Sequence, residues 1–328
     1  MRTLYLVALL VCGVLLAAAP ETADYRVSGP YTHDNLSIFL IHGKSDGKTY
    51  LTLREGLEQK KVVVYETKQV NELAIENLSD RDVFVQGGDI VKGGQQDRVL
   101  PTDFLLPARS GRVPISSFCV EPGRWTRRGN EPASVFAASS AMVVNPEMAK
   151  AAKVTKNQSE VWNEVAKARV EMQSGAVGSG SGIGPAASGS TSYQMAVEAK
   201  PVTDVVDKYT KALQAIIDGK SDVVGFAFAV NGRLSGTDVY SSTELFRAMW
   251  IKLLKAGAVE AVRSLSKDQT SAAVEASSVK AVLDDAKAGR TSVVKVGKVT
   301  LVNGEADKIL TFESREGDAL IHRNYIAK

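Results

Sequence analysis

Hydrophobic and polar positions change rhythm twice along this chain. Between Tyr25 and about Val143, apolar residues come in short runs at 36–41, 50–53, 62–65, 73–75, 83–85, 90–91, 104–106 and 113–120, separated by Gly, Pro, Asn and Asp. Runs of that length bounded by turn residues read as strands. Closely spaced strands with no helical period between them predict an antiparallel β-rich lobe, sandwich or barrel-like, over residues 24–145. The period then lengthens. Asn145 can cap a helix, Pro146 suits its first position and Glu147 its positive end. Val154, Val161, Trp162, Val165, Ala168 and Met172 share one face, so a helix is predicted over 146–173. Rhythm is lost over 174–194. Ser174 to Ser192 holds six Gly, six Ser and no charge. Such a stretch buries too little apolar surface to order itself and predicts a flexible linker.

Residues 195–328 alternate both periods, as a mixed α/β lobe would. An amphipathic helix is predicted over 201–218, closed by Gly219. A continuous apolar strand at 223–230 leads through the hairpin turn Asn231-Gly232 to a partner near 234–240. Ser241-x-x-Glu244 reads as a capping box for a long helix carrying Leu245, Phe246, Met249, Trp250, Leu253 and Leu254. A shorter helix at 277–288 and three final strands follow, two of them joined by Asn303-Gly304. No internal repeat is visible. The fold class predicted is α+β.

Composition narrows the function classes without choosing one. The 328 residues are 44% hydrophobic and 23% charged, close to a globular average. Forty Lys and Arg against 37 Asp and Glu leave a net charge of +3. That balance argues against a nucleic-acid partner, which needs a concentrated basic face. Residues 1–19 stand apart: Arg2, an apolar stretch from Leu4 to Leu16, then Ala17-Ala18-Ala19. This is the build of a secretory signal peptide, so export to a periplasmic or extracellular location is expected, with no other membrane segment. Removing it leaves Cys119 as the one thiol of the two Cys, and a lone Cys in an apolar strand reads as a small buried hydrophobe.

Familiar catalytic motifs fail on their spacing. Gly88 and Gly93 start like a phosphate loop, but Gly94-Gln95 replaces the required Lys-Ser/Thr. Neither a nucleophile elbow nor a paired-His zinc motif occurs, and the three His lie far apart in sequence. No metal or other cofactor is expected. One region nonetheless carries more polar residues than strand patterning requires. Between Glu72 and Trp125 lie Asp89, Gln95, Gln96, Asp97, Arg98, Arg112, Glu121 and Arg124. Two segments concentrate them: 88–98, just after paired glycines, and 118–125. Glycines let backbone approach a ligand, and Arg offers a two-pronged fork for carboxylate or phosphate. Gln96, Arg98, Arg124 and Trp125 are the candidate ligand-binding residues. Glu121 and Asp97 are the candidate acid or base. The same residues read, with somewhat more weight, as an ion-pair and hydrogen-bond network that ties loops to the sheet.

These two segments carry a family resemblance. The run from Glu76 to Arg98, followed by Cys119-Val-Glu-Pro-Gly-Arg-Trp125, resembles the ARG and rhodanese-phosphatase-superfamily-associated protein family. That family reads Gly-Glu-x-x-x-Gly-x-Lys-Gln-Asn-Arg and then Ser/Cys-Val-Glu-x-Gly-Arg-Trp. Gln96 and Arg98 match, as does the second element, while Asp89, Gln95 and Asp97 replace Glu, Lys and Asn. The likeness extends to the 36–39 and 50–53 stretches, to 158–165, to 224–254 and to Leu320-Ile-His322. The family name implies association with ADP-ribosylglycohydrolase-like and rhodanese-phosphatase proteins, hence a setting in NAD or ADP-ribose metabolism, and no particular activity. Two functions are therefore expected as alternatives. One is a binding or structural domain that recognises an anionic or sugar-bearing small molecule or a partner protein. The other is a hydrolase acting on a ribose- or phosphate-containing, ADP-ribose-like substrate.

Overall fold

The computed structural model describes residues 24–180, 190–265, 272–285 and 290–328. The expected signal segment at 1–19 lies outside them, as do residues 181–189 of the expected linker. The first strands are β1 (Arg26–His33), β2 (Leu36–His42) and β3 (Leu51–Thr52), followed by helix α1 (Leu53–Glu58). Next come β4 (Val62–Gln69), β5 (Glu72–Asn77), β6 (Val83–Val85), β7 (Asp89–Gly93), β8 (Arg98–Val99), β9 (Phe104–Leu106), β10 (Gly111–Ser116), β11 (Phe118–Cys119) and β12 (Val135–Val143). The middle of the chain is helical: α2 (Pro146–Lys150), a π-helical turn (Ala151–Thr155), α3 (Gln158–Gly178), α4 (Tyr193–Val197) and α5 (Lys200–Leu213). The hairpin β13 (Val223–Val230) and β14 (Arg233–Tyr240) precedes α6 (Thr243–Arg263) and α7 (Ala276–Asp285). The final strands are β15 (Arg290–Val296), β16 (Val299–Glu305), β17 (Ile309–Glu316) and β18 (Ala319–Ala327). The fold is α+β, with strands dominating the N-terminal half.

Sheet membership crosses the lobe boundary drawn from sequence. The largest sheet runs β1-β2-β13-β14-β18-β17-β16-β15, so the first two strands pair with C-terminal ones. Burial explains this. Leu36, Ile38 and Leu40 face a core built with α3, α5 and α6, while Phe39 and Ile41 face a second core with Val279 and Leu283 of α7. A strand apolar on both faces needs cover on both, and the central position beside β13, which is buried at every residue, supplies it. The remaining N-terminal strands form a seven-stranded sheet, β10-β5-β4-β12-β7-β8-β11, and a three-stranded one, β3-β6-β9. Their cluster of Leu51, Val64, Ile75, Val85, Leu106 and Phe136 is a separate core.

Several boundaries differ from the sequence reading for identifiable reasons. The helix expected over 146–173 is capped as predicted, Asn145 Oδ1 accepting from the Met148 amide at 2.8 Å, but it breaks at Lys156, whose φ is 50°. Helix α3 then runs on to Gly178, through the first five residues of the expected linker. Packing outweighs the weak helix propensity of Gly here. Gly175 and Ala176 are buried, and a Cβ on Gly175 would overlap the Val262 carbonyl oxygen of α6, so only Gly allows this crossing. The cap of α6 is Ser242, not Ser241: its Oγ accepts from the Leu245 amide at 3.1 Å. Four terminal strands replace the expected three, and Asn303-Gly304 lies within β16 instead of forming a turn.

One buried polar group joins the sheets. In the β14–β18 register Tyr240 pairs with His322 and Asp238 with Asn324, which sends all four side chains to one face. His322 is fully buried. Its Nδ1 donates to Asp103 at 2.7 Å and its Nε2 to Asp238 at 2.9 Å. The Tyr240 ring stacks on it at 4.6 Å, and the Tyr240 hydroxyl donates to Gln86 at 2.7 Å. Burial alone would lower the His322 pKa, but the charges and hydrogen bonds of Asp103 and Asp238 overcome it and hold it at about 9. Asp103, whose burial works in the opposite sense, is held at about 2 chiefly by His322. Both ring nitrogens are spent, so His322 is an imidazolium clamp between the approach to β9 and the large sheet.

Candidate functional site

The motif residues assemble where β7 turns into β8 and the chain leaves β11. Gly94 makes the approach possible: its φ is +55°, and a Cβ there would overlap the Phe136 ring and the Glu66 carboxylate. Gln96, Asp97, Arg98 and Glu121 are buried, Arg124 is partly covered, and Trp125 is 43% exposed. Gln96 Nε2 donates to the Glu121 carbonyl at 2.7 Å. Arg124 Nε pairs with Glu121 Oε2 at 2.6 Å. Arg98 Nη1 donates to the Gln96 carbonyl at 2.7 Å, its Nη2 lies 3.8 Å from Glu66, and its guanidinium sits 5.5 Å from the Trp125 ring.

The organising cation of this cluster is Arg128, which the sequence reading passed over. Its fork holds Asp97 through Nη1 at 2.9 Å and Nη2 at 3.1 Å, while Nη1 also reaches Glu121 at 3.3 Å and Nη2 reaches Glu131 at 3.0 Å. Burial acts to lower the Arg128 pKa, and Asp97, Glu131 and Glu121 together raise it above its ordinary value. Asp97 also accepts from the Gly93 amide at 2.9 Å and from Ser192 Oγ at 2.8 Å. Ser192 at the same time caps α4, accepting from the Met195 amide. The cluster thus fastens the β7–β8 turn, the 120–131 segment and the start of α4. Chemically, both candidate acid or base carboxylates are engaged by the same guanidinium. Glu66, Arg128, Glu131 and Ser192 are the partners that sequence reasoning missed. Only Arg128 had a local signal, lying four residues beyond Arg124 in a Gly- and Arg-rich segment.

A second locality lies beside β9 and β10. A cleft of about 660 Å³ separates the segment from Pro101 to Pro107 and strand β10 from β15, β16 and β17. Its walls are apolar, with Phe104, Leu105, Ile115, Phe118, Leu301 and Phe312 contributing. Lys153, Lys156 and Lys298 supply positive charge, and Asp103 and Glu313 are the acidic lining groups. Asp103 is spent on His322, and Glu313 pairs with Arg315 and Arg323, each at 2.8 Å. Lys298 is shared with Asp82 at 3.3 Å. No motif in the sequence announces this cleft, because its residues come from separate stretches of both halves.

Residues 24–326 match the model of the ARG and Rhodanese-Phosphatase-superfamily-associated Protein domain, and the chain belongs to that family over nearly its whole length. No curated protein and no solved structure matches it.

Proposed function

From that membership and the geometry of the cleft, we propose that the protein is a binding module for a small organic anion with an apolar body. The observation that carries this reading is the cleft of about 660 Å³ whose acidic lining groups are neutralised by cations outside the lining, which leaves Lys153 and Lys156 in charge excess. Largely apolar clefts with a few convergent polar groups are where small ligands bind. Hydrolysis has less support: Asp97 and Glu121 already share Arg128, and a general acid or base must be free to exchange its proton. Export of the mature chain belongs to the same proposal and rests on the Arg2, apolar and triple-Ala layout.

Thermal melts with inorganic phosphate, phenyl phosphate, pyridoxine 5′-phosphate and ADP-ribose test the binding reading. An aromatic or sugar-bearing anion should raise the melting temperature at concentrations where phosphate alone does not. Lys156→Glu should weaken that effect by about tenfold in affinity, near 1.4 kcal/mol. Absence of any shift across the panel, or a shift unchanged in Lys156→Glu, overturns it.

A second reading keeps the motif cluster as the ligand site. Its supporting observation is that the buried Arg98 Nε and Nη2 make no hydrogen bond among the described residues, beneath the half-exposed Trp125. In that case Trp125→Ala, and not Lys156→Glu, should remove the ligand-induced shift.

A further inference from the structure

Lys153 occupies an unusual place in the cleft. It is the central residue of the π-helical turn between α2 and α3, and single π turns recur at functional sites. Its stem lies against Gly87, where a Cβ would stand 3.1 Å from Lys153 Cε. Its Nζ donates to Asn324 Oδ1 at 3.3 Å and faces the Phe312 ring at 5.0 Å. Among the described residues no carboxylate comes within 4 Å of it, since no ion pair of Lys153 occurs at that distance. The nearby acids, Asp103 and Asp238, are both committed to His322. Lys153 also lines a second pocket of about 50 Å³, with mostly apolar walls that Gln86, Asp238 and Asn324 interrupt. The amine therefore stands where the apolar cleft meets a second, smaller pocket, whereas Lys156 and Lys298 are exposed.

That division of labour separates charge recognition from reactivity. An exposed lysine holds an anion well as a point charge. A lysine desolvated among apolar groups without a carboxylate partner has its ammonium form disfavoured, and its free amine is a nucleophile toward carbonyl carbon. Lys153 is only partly buried as a residue, and the desolvation of its amine lowers its pKa against the opposing charges of Asp103 and Asp238.

We propose that Lys153 forms a reversible imine with an aldehyde carried by the anionic ligand, the acidic group of that ligand lying toward Lys156 and Lys298. This rests on the cleft being the ligand site. The amine lone pair adds to the carbonyl carbon to give a carbinolamine. Its two nitrogen protons pass in turn to the oxygen, which leaves as water while the C=N bond forms. Aldehyde plus amine gives imine plus water, with no change in oxidation state. The ligand class is an acidic aldehyde, including the open-chain form of a phosphorylated reducing sugar.

The test uses the full-length protein, pyridoxal 5′-phosphate as probe and borohydride to fix any imine, with peptide mass mapping of every lysine. Pyridoxine 5′-phosphate, which has the same ring and phosphate but no aldehyde, reports binding separately by thermal melt. At substoichiometric probe, the expected result is one reduced adduct, at Lys153, at least tenfold above any other lysine, and its loss in Lys153→Arg. A melt of Lys153→Arg without ligand checks its fold. If Lys153→Arg does not fold, competition settles the point: excess pyridoxine 5′-phosphate should suppress adduct at Lys153 in the unmodified sequence. Adduct spread over exposed lysines, or its absence at Lys153 while pyridoxine 5′-phosphate still shifts the melt, overturns the imine and leaves the binding reading standing. Adduct elsewhere with no shift from either compound removes both.

Discussion

The His322 clamp makes stability depend on pH in a sense that can be calculated. Its pKa rises from an ordinary 6.5 to about 9 on folding. At 1.36 kcal/mol per pKa unit, the raised affinity for a proton corresponds to about 3 kcal/mol of folding stability. His322 is fully buried, so solvent screening takes little from this figure. Between pH 6.5 and 9 the folded state holds a proton that the unfolded state has released, so stability falls as pH rises. It is fully present below 6.5 and gone above about 9. For a chain of this size, about 3 kcal/mol corresponds to roughly 6–10 °C in melting temperature. Lys153, with its lowered pKa, contributes in the opposite sense below the ordinary lysine value, so a control variant is needed. Asp238→Asn is suitable: Asp238 Oδ1 accepts from His322 at 2.9 Å and from Asn324 at 3.0 Å, and an amide retains that oxygen. The assay is a set of thermal melts from pH 6 to 10 for both proteins, with imidazole NMR titration, which three His keep simple. Asp238→Asn should show a lower His322 pKa and a shallower decline. A His322 that titrates near 6.5, or identical pH slopes in the two proteins, would refute the clamp. At the acid end, Asp103 is held at about 2, so its share of the same interaction persists above 3.8 and is lost only as pH falls through about 2.

Three further outcomes are expected. Gly175→Ala gains about 1 kcal/mol of helix propensity, but the α3–α6 overlap costs about 2–3 kcal/mol, so melting should fall by a few degrees; a rise would show that the helices separate freely. Arg128→Ala takes the two-pronged cation from the buried Asp97, leaving Glu121 to Arg124, and should cost about 3 kcal/mol, whereas Trp125→Ala, half-exposed, should cost about 1 kcal/mol or less; equal losses by denaturant melt contradict the network described. Intact mass of the protein from its native host should place the mature N-terminus between about residues 19 and 24, and a mature chain that keeps Met1 in the membrane fraction would dispose of the export proposal.

What the sequence made legible was local. The continuous apolar run at 223–230 became β13, and Asn231-Gly232 became its turn, because a strand buried on both faces and a turn with positive φ leave little choice of residue. Asn145 capped its helix for the same local reason. The motif segments at 88–98 and 118–125 also meet in space, since β8 pairs with β11 through Arg98 and Cys119. Long-range choices were not legible. Nothing in β1 or β2 states that their partner lies beyond the helices, and nothing around Lys153 or His322 marks them until β18 and the π turn are brought together. Gly175 misled by composition: a glycine that permits helix contact and one that loosens a linker are the same letter, and only the Val262 carbonyl distinguishes them.

The seating of β2 beside β13 also sets a timetable. Roughly 180 residues of chain separate the end of β2 at His42 from the start of β13 at Val223. At ~5–20 residues per second, a ribosome leaves the β1–β2 hairpin waiting roughly 10–40 s for its neighbour. Throughout that interval Leu36, Ile38 and Leu40 on one side and Phe39 and Ile41 on the other have no native cover. The nascent chain thus presents a sticky, open-edged hairpin long before it can bury it. The synthesis rate of the long stretch between β2 and β13, or a chaperone holding that hairpin, becomes a determinant of yield that no property of the finished molecule reveals.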